Sequence, residues 1–288
     1  MEDQAIYPII LPEWYYNIKE PPTERNWNVF LIVNENYSST IALAQSIIYA
    51  KSFGAQLTIC APPEFNKDIL KKLINYINTE FKIPAMGLQL DMPMKEWLIQ
   101  ASSKYEAIFF VVSLIGNKTS LGTTISQTLY FFRNSRVPLI LVPNNATILP
   151  LDKIAFAMNF EKEEKEKILW GSYFARIANS QITIYKPKVK DQNYKLGIMS
   201  NFTSLTQLYD KLDLNYSIID TDFTVYTIEQ SSISLATIDQ ISLYLIMVNK
   251  YWGAIDYILG PNAKDLLKKA QIPIMCIPKR DDLYVLCS

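Results

Sequence analysis

A chain of 288 residues that is 49% hydrophobic carries enough apolar side chain for about two cores of ordinary size. Its 28 basic and 28 acidic residues cancel, so no bulk electrostatic attraction draws it to nucleic acid or to an anionic membrane, and we expect neither as a partner. It contains no histidine, which excludes a Ser-His-Asp triad, a Cys-His pair, an HExxH zinc site and histidine phosphotransfer.

Residues 1–27 place Tyr7, Trp14, Tyr15, Tyr16 and Trp27 among Pro8, Pro12, Pro21 and Pro22. A segment this aromatic is expected to pack on the body of the protein or on a second subunit, as surface cover or as a recognition arm. Its opening Met-Glu-Asp-Gln has neither a basic start nor a continuous apolar core, so a secretory leader is not expected and the cytoplasm is. Apolar runs such as 107–112 and 243–248 fall far short of the ~20 residues of a membrane span and read as strands.

The first unit, 28–145, opens with the buried-strand run 28–33 and ends it at Asn34. A helix capped by Ser38 or Ser39 follows, with Leu43, Ala44, Ile47 and Ile48 on its apolar face and Gly54 as a left-handed stop. Then come a strand over 56–60, a helix over 65–80 with Ile69, Leu73, Ile74 and Ile77 inward, and a short strand near 86–90. The unit continues with a helix over 93–104, the strand 107–112, a Gly/Ser/Thr loop, a helix to about Arg133 and the closing strand 137–143. We expect Lys71 and Lys72 in solvent.

The second unit, 152–279, repeats this plan 125 residues later: 153–159 copies 28–34, Gln181 copies Gln56, Pro187 copies Pro62, and Asn179 stands in the place of Gly54. The charged run Glu161-Lys162-Glu163-Glu164-Lys165-Glu166-Lys167 is expected to be a solvated helical face. A poorly patterned stretch over 186–200 precedes a helix near 202–212, a strand at 215–219, a helix at about 226–238, the strand 243–248 and a closing strand 272–278. Cys60, Cys276 and Cys287 cannot all pair with one another and are read as structural thiols.

Alternating strands and helices, five strands per unit and each strand continuously apolar, imply α/β architecture: two tandem five-stranded parallel-sheet sandwiches with helices on both faces. Strands 1 and 4 of each unit should open onto one crevice at a switch point of strand order, where a ligand would bind. Pro138 and Pro273 suit edge strands, so the closing strands could meet and make the two units an internal pseudo-dimer, which leaves room for a homodimer as well. Residues 280–288 form a tail with a β-like run, expected to cover a surface or an edge.

This order of elements, with Gly253, Gly260 and the Ile272-Pro273 turn, resembles the universal stress protein family in its tandem two-domain form. The resemblance implies a Rossmann-like, adenine nucleotide alpha hydrolase-like fold. In ATP-binding members an Asp ends strand 1, and a loop of the form GxxGx9G[ST] follows strand 4, its glycines admitting phosphates to backbone amides. Here Asn34 and Asn159 stand at the Asp position. In the second unit the leading glycine positions carry Met247 and Lys250, and the Ser position carries Pro261, which lacks hydroxyl and N–H alike. The first-unit loop, residues 116–126, keeps Gly116 and Gly122 and five hydroxyls, but this loop or the helix after it is about four residues shorter than in the second unit.

Three functions follow from these residues. The leading expectation is a non-catalytic, stress-related regulatory or binding protein with degenerate nucleotide sites, no cofactor and an unidentified protein partner. The alternative is an ATP or AMP sensor using a modified site in the first unit, with Asn34 beside adenine or ribose and Gly116, Gly122, Thr123 and Ser126 near phosphate; Asn159, Gly253 and Gly260 are its degenerate counterparts. A slow hydrolase is disfavoured, because no base, nucleophile or metal cluster stands out.

Overall fold

Strand β1 (Asn28–Ile32) sends Val29 and Leu31 to one face of the sheet and Phe30 and Ile32 to the other, all buried, as a strand covered on both sides must. The computed structural model describes residues 9–19, 26–35, 39–92, 96–98, 100–101, 106–132, 135, 137–248 and 270–279. The first half continues with α1 (Thr40–Phe53), β2 (Gln56–Ala61), α2 (Lys67–Tyr76) and β3 (Ala85–Gln89). After the helical residues 96–98 and 100–101 come β4 (Ala107–Ile115), the short β5 (Lys118–Thr119), α3 (Ile125–Phe132) and β6 (Leu139–Pro143).

The second half holds β7 (Lys153–Ala157), α4 (Lys165–Ala178), β8 (Gln181–Lys186), α5 (Gln192–Lys211), β9 (Tyr216–Asp220), α6 (Ile228–Ile238), β10 (Leu243–Val248) and β11 (Ile274–Pro278). The internal repeat is kept in the pairing itself. Asn28 lies opposite Gln56 in the first half, and Lys153 lies opposite Gln181 in the second. Gly54 and Asn179 both end their helices in the left-handed region, at φ 59° and 56°.

Among the described residues all strands join one sheet, in the order β3-β2-β1-β4-β6-β11-β10-β7-β8-β9, with β5 paired to β4. Pairing is parallel within each half, apart from β5, and antiparallel where β6 meets β11. Strand order reverses direction beside β1 and β4, and again beside β7 and β10, so each half has a crevice at the carboxyl ends of those strands.

Three expectations are corrected. Helix α1 is buried from Ala42 to Ala50 without a break, not on one face, because α4 of the second half covers its outer side: Phe53 meets Phe174 edge-on at 5.4 Å. The run 161–167 is not a solvated face, since Glu164, Glu166 and Lys167 are buried. Helix α5 starts at Gln192, about ten residues before the expected one, with Asp191 as its cap. Its register was hidden because Leu196 and Met199 face solvent while polar Asn201 is buried.

The arm covers the first half. Tyr15 is fully buried, donates its hydroxyl to the Phe81 carbonyl at 3.1 Å and lies under the Lys51 ammonium at 4.3 Å. Lys71 and Lys72 are exposed, Ser39 is the α1 cap, and Cys60 and Cys276 are buried free thiols. Residues 1–8, 20–25, Ser38, Cys287 and the tail 280–288 lie outside the described residues.

Candidate functional site

The first crevice is where β1 and β4 end side by side, Ile32 opposite Val112. Asn34 sits just beyond β1, half-buried. Ser39 begins α1, and its Oγ accepts from the N–H groups of Ile41 and Ala42 at 3.1 and 3.3 Å. The N–H of Ser39 itself donates to Ser113 Oγ on β4, at 3.1 Å. Three of the donors that a helix start would present to an anion, the N–H groups of Ser39, Ile41 and Ala42, are in this way bound to two serines of the protein.

The Gly/Ser/Thr segment, expected as an irregular loop, folds back on β4 as a hairpin through β5. Gly116 turns it with φ +60°, and Gly122 closes it with φ +73°, where other residues would be strained. Its hydroxyls satisfy one another. Thr128 Oγ1 lies 2.8 Å from Thr119 Oγ1 and 2.8 Å from Thr123 Oγ1, and Ser120 Oγ accepts from the Ser113 N–H at 3.2 Å. Helix α3 begins with a reciprocal box: Gln127 Oε1 accepts from the Thr124 N–H at 3.0 Å, and Thr124 Oγ1 from the Gln127 N–H at 3.4 Å. Ser126 is half-buried in the first turn. Of the five candidate residues, then, Gly116, Gly122 and Thr123 shape the hairpin, and Asn34 lies at the neighbouring strand end.

The second crevice holds a buried charge cluster. Lys167, on the first turn of α4, is 1% exposed, and its Nζ donates to the Ala157 carbonyl at the end of β7 at 2.6 Å. The ammonium pairs with Glu164 at 2.7 Å and with Glu229 of α6 at 3.5 Å. Glu164 also accepts from the Asn159 N–H at 2.9 Å. Asn159 is engaged at every polar group named: its Nδ2 donates to the Val225 carbonyl at 3.0 Å, its Oδ1 accepts from the Phe160 N–H at 3.0 Å, and its carbonyl accepts from Asn201 Nδ2 at 2.8 Å. From β10, the buried Tyr244 hydroxyl accepts from the Ala157 N–H at 3.0 Å. Met247, at a leading glycine position, is buried in β10; Lys250, Gly253, Gly260 and Pro261 lie outside the described residues.

Burial works against the Lys167 ammonium, but Glu164 and Glu229 outweigh it and hold its pKa above the ordinary lysine value. Glu229 is pushed up to about 8, first by burial, which the attraction of Lys167 only partly offsets. At neutral pH Glu229 is held mainly as the neutral acid beside the Lys167 ammonium. One pH dependence follows. Between the ordinary glutamate value of 4.5 and about 8 the unfolded chain has released a proton that the folded chain still holds, so stability falls as pH rises through that window. Glu229→Gln should flatten this slope in urea midpoints taken at the two ends of the window; an unchanged slope would contradict it.

Glu164, Lys167, Glu229, Ser39 and Ser113 carry these arrangements, and of them only the Ser39 cap was anticipated. A lysine in the first turn of a helix opposes the helix dipole, a sequence signal that could have singled out Lys167. Among the described residues no group of three or more Cys, Asp or Glu could hold a metal ion, and no helix is long and apolar enough to cross a membrane.

No family model matches the chain, and no curated protein does. Solved structures do match in fold. A universal stress protein from Archaeoglobus fulgidus has a TM-score of 0.63 at 12% identity, over 88% of this chain and 97% of its own. A protein of unknown function from Pseudomonas aeruginosa gives 0.60 at 11%, over 90% and 95%. The cytoplasmic domain of a prokaryotic cation chloride cotransporter gives 0.58 at 10%, over 91% and 100%. The chain has the fold of these proteins.

Proposed function

We propose that this chain is a non-catalytic binding or regulatory protein of the universal stress protein type, in which internal side-chain networks stand where nucleotides would bind. The observation that carries this reading is the second crevice, where Lys167 and Glu229 fill the end of the sheet and Asn159 has no polar group to spare. A triphosphate there would have to break the Glu164–Lys167 pair and desolvate its own charge in a crevice already filled by Glu164, Lys167 and Glu229. In the first crevice the Ser39 amide and the α3 start are already bonded within the protein. We assign it to the cytoplasm, a reading that the buried free thiols of Cys60 and Cys276 support.

One observation favours the alternative, an ATP or AMP sensor confined to the first half: a Cβ built on Gly116 or Gly122 would meet no atom within 4 Å, so the approach to that hairpin is open. Calorimetric titration of ATP and of AMP into the native protein separates the two. Our reading expects no saturable heat with either. Saturable binding that Gly122→Ala or Asn34→Ala abolishes would replace it with the sensor.

A further inference from the structure

On the opposite, amino-terminal edge of the sheet, a cleft of about 580 Å³ lies between the two halves, within the ~300–1,000 Å³ range of small-molecule sites. The first half supplies Trp27 just before β1, Phe53 at the end of α1 and Glu106 just before β4; the second supplies Trp170, Tyr173 and Ile177 from α4. Tyr173 is 45% exposed, Trp170 is half-buried beside it with ring centroids 5.7 Å apart, and Glu106 is exposed. Among the described residues no basic side chain lines the cleft.

The internal repeat provides a control for what the fold alone requires. At the 125-residue offset Trp170 corresponds to Gln45, Tyr173 to Ile48, Phe53 to Ala178 and Trp27 to Asp152. Each ring is thus missing at the matching position of the other half, so the repeated plan does not by itself require an aromatic there, although Phe53 also packs in the core.

We propose that this cleft binds a small organic cation carrying an aromatic or methylated head. Indole and phenol faces attract a desolvated cation through their quadrupoles, tryptophan most strongly, and Glu106, the one charged side chain among the described lining residues, favours the same sign of ligand. Anions and nucleotides are disfavoured by the same lining.

The test uses the full chain and three probes sharing one ring: benzyltrimethylammonium, benzyl alcohol and benzylsulfonate, followed by calorimetry and by saturation-transfer NMR. We expect saturable binding of the cation, weaker binding of the alcohol by about tenfold, and none of the sulfonate. Trp170→Ala and, at an exposed position that the fold does not need, Tyr173→Ala should each weaken the cation by about tenfold, and Glu106→Gln should reduce the preference of cation over alcohol. Circular dichroism of each variant verifies folding. The proposal is overturned if the cation shows no saturation below about 10 mM, if the sulfonate binds as well, or if folded Tyr173→Ala binds the cation as the native chain does.

Discussion

Lys167→Met lowers the unfolding free energy by about 3–5 kcal/mol, because it leaves the Glu164 and Glu229 carboxyls buried together without their cation. The lysine is 1% exposed, so water does not screen its pairs as it would at the surface. The Ala157 carbonyl loses its donor in the same step. Adding Glu164→Gln and Glu229→Gln to Lys167→Met should recover most of the loss, since neutral amides need no counter-charge. Urea denaturation measures both, as a lowered midpoint for the single variant and a partly restored one for the triple. A change below about 1 kcal/mol for Lys167→Met would mean that the cluster behaves like a surface pair.

Phe174→Ala is the second large effect, and it acts between the halves. Phe174 is fully buried, with its ring 5.4 Å from Phe53 of α1 and 6.2 Å from Trp170. Removing it leaves a cavity where α4 covers α1 and should cost about 3–5 kcal/mol. Phe53→Ala opens the same contact, so the double variant should lose less than the sum of the two. Additivity within about 0.5 kcal/mol would show that the two rings are not coupled across the boundary between the halves.

Much of the fold was legible because it rests on local signals that the repeat states twice. Gly54 and Asn179 announce their helix ends, and both take positive φ. The run Leu243 to Val248 is apolar at every position, and all six residues are buried in β10. What the pattern could not show is where one half lies against the other. α1 looked one-sided because Gln45, Ser46 and Ser52 interrupt its apolar residues, yet all three are buried.

The candidate sites were harder to read for a related reason. Glu164 and Lys167 sit in a charged run that reads as a solvated helical face, and the carboxyl that completes their cluster, Glu229, stands 62 residues after Lys167. Ser113 is one hydroxyl after an apolar run; its role appears only when β4 brings it under the Ser39 amide. Gly116 and Gly122 were singled out as a phosphate cradle, whereas their conformations also answer the demands of a hairpin turn.

The most direct test of the account is mass spectrometry of the supernatant from freshly purified, denatured protein. Crevices closed by their own side chains should release no adenine nucleotide. Near-stoichiometric ATP or AMP, lost when Asn34 or Gly122 is substituted, would contradict the account and establish the first half as a nucleotide site.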